Sequence, residues 1–136
     1  MTNEITVRLA VDSEASQIGN MVTKMYGTDM TWDRVYPYWL VAEDKTGILA
    51  CIQVLIGLPS GAIEFLSFRD NLSPVRKAYA IKKLSTAALA ALQNAGCAVA
   101  FGIVPQGIPS WRRTLKRKWN ANILERACNL FFKRLR

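Results

Sequence analysis

Any chemistry in this chain must be done without histidine, because none of its 136 residues is one. That removes the commonest general base and the commonest metal ligand together. Carboxylates, Tyr, Ser, Lys, thiols and the backbone remain. Among the carboxylates Glu64 stands apart, as the single charged side chain between residues 46 and 68. On a largely apolar strand its ionised form is poorly solvated, its pKa rises, and it suits a base near neutral pH. A solvent-facing glutamate, or one paired with an arginine, is the plainer alternative. Cys51, Cys97 and Cys128 are far apart, odd in number and set among apolar neighbours. They are expected as buried reduced thiols rather than a disulfide or a metal site.

A second cluster is basic. Trp111-Arg112-Arg113-Thr114-Leu115-Lys116-Arg117-Lys118-Trp119 holds five basic residues in nine. On a helix Trp111, Leu115 and Trp119 face the core, while Arg112, Arg113, Lys116 and Arg117 spread over the exposed sides. This is either a solvated face or a surface for phosphates, an acidic partner or nucleic acid. No base-reading motif accompanies the charge, so sequence-specific nucleic-acid binding is unsupported. Residues 1–68 carry 4 basic and 8 acidic groups, net −4; residues 69–136 carry 14 and 2, net +12. The C-terminal half should attract a polyanion.

The elements that must position these groups are readable in outline. With 51% hydrophobic and 21% charged residues, the chain is no disordered tail. Its length fits one domain, 1–136. No apolar run approaches the roughly 18 residues of a membrane span, and no signal peptide is expected, so the reading is cytoplasmic. Ile5, Val7, Leu9 and Val11 alternate with polar residues or Ala as a half-buried strand. Asp12 and Ser13 offer caps for a helix that runs to about Tyr26 and ends at Gly27. Residues 39–43, 48–58 and 62–68 read as a three-strand antiparallel meander, the middle one central. Ser73 and Pro74 open a helix over 74–95, with Ile81, Leu84, Ala88, Ala91, Leu92 and Ala95 as its stripe. A buried strand over 97–104 and a short helix over 110–119 follow. Over 122–135 periodicity favours a helix, with Asn122 and Glu125 resembling a capping box. A bend near Cys128 and a strand over 129–135 is the rival.

This order of elements resembles the GNAT superfamily of N-acetyltransferases. The resemblance implies an α/β (α+β) fold. Its twisted sheet is mostly antiparallel, with a parallel, splayed strand pair around a central long helix. It also implies that 62–68 and 97–104 are that pair, and that the chain ends in a strand over 129–135. In the family, acetyl-CoA enters the gap between the two strands and its pyrophosphate rests on amides at the start of the long helix. The family's phosphate loop reads Gln or Arg, two residues of any type, Gly, one of any type, then Gly or Ala. The corresponding stretch here is Val75-Arg76-Lys77-Ala78-Tyr79-Ala80, in which only Ala80 fits. Arg76 and Lys77 would partly compensate as charge. The plainer alternative is that these residues are the solvated first turns of an amphipathic helix.

The resemblance also makes Glu64 the base that takes a proton from the acceptor amine. The tyrosine acid of the family falls at Thr114 or Leu115, neither of which can serve. The nearest amide to the family's Asn is Gln106, and Trp119-Asn120 replaces an aromatic Gly-Phe. Tyr36, Tyr38 and Tyr79 are possible substitutes. The expected activity is acyl-CoA-dependent transfer of an acetyl group to a small amine or a protein amine, by direct attack. The alternative is a catalytically degenerate GNAT-like protein that serves in assembly or protein binding. It would be similar to short basic members of tailed bacteriophages, and could act in a virion. A basic nucleic-acid-binding module is the third reading.

Overall fold

The computed structural model describes residues 4–27, 38–103, 113, 116, 117, 122–125 and 130–134. Strand β1 (Thr6–Leu9) is followed by a 3-10 turn (Asp12–Glu14) and helix α1 (Ala15–Tyr26). Strands β2 (Tyr38–Asp44), β3 (Gly47–Leu55) and β4 (Ser60–Phe68) lead into helix α2 (Pro74–Asn94). Strands β5 (Val99–Ile103), β6 (Asn122–Glu125) and β7 (Leu130–Arg134) complete a seven-stranded sheet of order β1-β2-β3-β4-β5-β7-β6. Every neighbouring pair is antiparallel except β4 and β5, which are parallel.

β3 lies mid-sheet, and every residue from Ile48 to Val54 is buried. Its apolar run, broken by Gln53 alone, is what a strand covered on both faces requires. On one face α2 supplies Ile81, Leu84 and Leu92 to a core with Leu49, Ile52, Ile63 and Leu66. On the other, α1 supplies Ile18, Met21 and Val22 to a second core with Trp39, Val41, Ile48 and Cys51. Cys51 and Cys97 are buried free thiols, and burial pushes the Cys51 thiol up to about 12. Cys128 lies outside the described residues.

Several boundaries differ from the expected ones. Asp12 and Ser13 do not cap α1; they form the 3-10 turn. There the Glu14 carboxylate accepts from the Val11 N–H at 2.9 Å and binds the Arg8 guanidinium, so the chain turns before the helix begins. β3 stops at Leu55 rather than at residue 58, and Ala95 is exposed, not part of the α2 stripe. Ser85 and Leu89 are buried in its place. Ser73 does cap α2, its hydroxyl accepting from the Arg76 N–H at 3.2 Å. The C-terminal helix suggested by period is overturned. Asn122–Glu125 and Leu130–Arg134 are strands, and Leu130–Arg134 pairs with all five residues of β5. Ladder pairing overrides a local period that suits either state. Of the helix expected over 110–119, Arg113, Lys116 and Arg117 are described; they are helical and exposed.

Candidate active site

The parallel pair is short. β4 pairs with β5 from Ser60 to Ile63 only, whereas its pairing with β3 continues to Phe68. Beyond Ile63 the β5-facing edge of β4 has no strand partner among the described residues. At that point β4 also bulges. Gln53 faces Glu64 and Cys51 faces Ser67, so Ile52 alone spans Phe65 and Leu66. Phe65 has a φ of 57°, a left-handed value that a bulky residue adopts only when its surroundings impose it.

Those surroundings are visible. The Tyr26 hydroxyl at the end of α1 donates to the Leu66 carbonyl at 2.7 Å, and the Ser67 hydroxyl donates to the Phe65 carbonyl at 2.9 Å. The Tyr26 ring stands edge-on to Phe65, centroids 5.2 Å apart. Desolvation raises the Tyr26 phenol well above its usual range, so it is fixed in the donor form. Sequence reasoning missed Tyr26. The signal for its role is tertiary, since α1 must dock on β4 before the hydroxyl meets the bulge.

Glu64 sits at the lip of the opening. It is half-buried, and desolvation raises its carboxyl above the usual range. Directly paired residues share a face of the sheet, so Trp39, Gln53 and Glu64 form one cross-strand row on the α1 side. Tyr38 and Tyr79 are not brought to it. Tyr38 packs into the α2-side core, and Tyr79 is exposed on α2, where it lines a cavity beside Glu4–Val7. Tyr36, Gln106, Arg112, Thr114, Leu115, Trp119 and Asn120 lie outside the described residues.

The start of α2 separates the six expected cofactor residues. Pro74 has no N–H, and Ser73 takes that of Arg76, which leaves Val75 with the open amide of the first turn. The Arg76 guanidinium binds the Asp44 carboxylate at 2.5 Å. Asp44 also accepts from the Thr46 hydroxyl and amide, and these bonds, with Arg76, hold its carboxyl below the usual range. Lys77 lies over the Phe68 ring, 5.5 Å from its centroid. Ala78 and Tyr79 are exposed, and Ala80 is buried in the core. Beside this turn is a cavity of about 220 Å³ between α1 and the end of β4, lined by Met21, Lys24, Phe68, Arg69, Asp70 and Lys77 among others. Lys24 pairs with Asp70, and Arg69 donates to Thr46. The sequence did not single out Lys24 or Arg69. They are isolated cations on different elements until the fold joins them.

No family model matches the sequence, and no curated protein matches it. Solved structures do. An acetyltransferase of the GNAT family from Staphylococcus aureus superposes with a TM-score of 0.71 at 10% identity, over 98% of this chain and 100% of that one. The fold is the GNAT fold. Ard1 from Thermoplasma volcanium gives a TM-score of 0.71 at 11% identity, over 96% of this chain and 97% of that one. The PaiA N-acetyltransferase from Thermoplasma acidophilum, a structure in complex with coenzyme A, gives 0.68 at 10% identity, over 96% and 99%. The GNAT-like order of elements therefore persists here at about one identical residue in ten.

Proposed function

We propose that the chain is an acyl-CoA-dependent N-acyltransferase in which an amine attacks the thioester directly. The observation that carries this reading is the parting of β4 from β5 after Ile63, at a bulge held open by Tyr26 and Ser67, with Glu64 on its lip. Acetyl-CoA would supply the electrophilic thioester carbonyl. The edge of β4 beyond Ile63, without a strand partner among the described residues, offers backbone groups to an extended amide-bearing arm. Lys77, Arg69 and the Val75 N–H suit its phosphates, with Lys24 shared between them and Asp70. Arg76 is already committed to Asp44 and contributes less. Glu64 takes the proton from the amine; its half-buried, raised carboxyl can accept one near neutral pH. Amides at the bulge would polarise the carbonyl. A thiolate whose thiol has a pKa of about 8.5 leaves without a dedicated acid, so the lack of a tyrosine at Thr114 or Leu115 is tolerable.

The test is thermal unfolding with and without acetyl-CoA, followed by release of free thiol on adding an amine. A ligand at a hundred times its Kd should stabilise by about 2.7 kcal/mol. Lys24→Glu with Lys77→Glu should remove the shift. No shift at millimolar acetyl-CoA would sink the catalytic reading.

A second reading concerns the basic segment. Arg113, Lys116 and Arg117 are helical and exposed, and none forms an ion pair among the described residues. With Arg112 they would contact a macromolecular partner, an acidic protein rather than nucleic acid. This role is compatible with catalysis. It is also what would remain if catalysis has been lost, as in an assembly component.

A further inference from the structure

Gln53 is out of keeping with its strand. Its neighbours from Ile48 to Val54 are apolar, yet its side chain is only 4% exposed. Among the described residues no hydrogen bond reaches that side chain. Glu64, directly across the β3–β4 ladder, likewise has no hydrogen-bond or ion-pair partner there. The two polar groups stand side by side, unbonded to each other, on the face where β4 bulges away from β5. An arrangement with acceptor oxygens on two residues, one anionic, and no compensating cation among the described residues is complementary to a cation that carries N–H bonds.

We propose that Gln53 and Glu64 together form the acceptor site and that it takes an alkylammonium group: the Gln53 carboxamide oxygen accepts one N–H while Glu64 takes a proton from the same nitrogen. The assignment rests on the acyltransferase reading for what happens next. The nitrogen lone pair forms the C–N bond as the C–S bond breaks, and the sulfur leaves with the bonding pair. The second proton shed by the nitrogen goes through water to the thiolate, and the Glu64 proton goes to solvent. Ammonium and thioester thus give amide, thiol and one proton. Gln53 keeps its N–H bond throughout and sets the direction of the lone pair.

The experiment titrates the whole chain, without acetyl-CoA, with butylammonium and with butyltrimethylammonium. The second has the same charge and chain but no N–H. NMR follows the Gln53 side-chain amide and the Glu64 carboxyl. Butylammonium should shift both sets of resonances, and butyltrimethylammonium should leave Gln53 unmoved. Gln53→Met, which keeps the volume, should bind butylammonium about tenfold more weakly. The assignment is overturned if both cations move Gln53 equally, if neither does, or if Gln53→Met binds as tightly as wild type. The comparison of the two cations on the wild-type protein decides the matter even if that variant does not fold. Acetyl-CoA plays no part in the titration, so loss of the acyltransferase reading would leave the ammonium site standing. Conversely, an acetyl-CoA shift with silent Gln53 resonances would overturn this site alone.

Discussion

At Glu64, one physical fact has two consequences of opposite value. Burial disfavours the charged carboxylate, which raises its pKa. A base must be unprotonated to act, so the amine-transfer rate should rise with pH through that raised value, above the ordinary glutamate range. The same shift acts against stability. The folded state holds this proton more tightly than the unfolded state. The carboxyl therefore contributes stability at low pH that is lost as pH rises from the unfolded to the folded pKa. Glu64→Gln is expected to lower the rate about a hundredfold or more and to remove the acidic limb of the pH–rate profile. It should also raise the urea midpoint at neutral pH, with the gain vanishing below the unfolded pKa. A variant that loses rate and stability together would mean that Glu64 is structural. The residue was legible in the sequence because a lone charge in an apolar stretch is visible without a fold. Gln53 was not, since a single uncharged amide in a strand has no local signature. Its position matters only because the ladder puts it opposite Glu64.

The elements were legible where a local pattern and a tertiary demand coincide. α2 has Ser73, Pro74 and a long apolar stripe, and it was readable from cap to stop. The nearly continuous apolar run of β3, with Gln53 its one polar residue, suits a strand covered on both faces. Over 122–135 a helical period and a strand pattern coexist, and pairing with β5 decides between them. The splay was implied by the resemblance alone, because no residue in β4 announces where it parts from β5. Its geometry depends on a close approach at Gly61, in the paired half of β4. A methyl there would lie 2.5 Å from Leu92 Cδ2 and 2.9 Å from the Leu55 carbonyl. The carbonyl is backbone and cannot swing aside. Gly61→Ala should therefore cost about 1–3 kcal/mol through overpacking, read as a lower urea midpoint. It should also weaken acetyl-CoA binding by shifting β4 against α2. The tie between the β2–β3 turn and α2 is electrostatic. Thr46 and Arg76 depress the Asp44 carboxyl, so its contribution is present above the unfolded pKa and is lost as pH falls through the folded value. Asp44→Asn should be less stable than wild type at neutral pH. The difference should close on acidification. A constant gap between the two curves would show that the carboxylate charge is not what holds the turn.

Across the whole molecule charge is unevenly divided, −4 in residues 1–68 and +12 in residues 69–136. The phosphate site proposed beside α2 uses three cations, Lys24, Arg69 and Lys77, of which Lys24 comes from the acidic half. Most of the +12 is thus unexplained by one cofactor. Arg113, Lys116 and Arg117 belong to a separate helical segment and are exposed. Reversing all three to Glu changes the net charge by 6, from +8 to +2. Solvated charges that make no ion pair contribute little to folding, about 0.5 kcal/mol or less each, so the urea midpoint should hardly move. Acetyl-CoA affinity should be unchanged as well, because its phosphates are assigned elsewhere. Binding to an acidic polypeptide, with polyglutamate as the probe, should fall steeply, and the wild-type affinity should itself drop sharply with added salt. Any binding of duplex DNA should show no sequence preference, since the chain brings charge without groups that read bases. If the reversed variant instead binds polyglutamate as tightly as wild type, the segment only solubilises the chain. If acetyl-CoA affinity falls with it, the phosphate site extends beyond α2 and the division of labour between the two basic clusters is wrong.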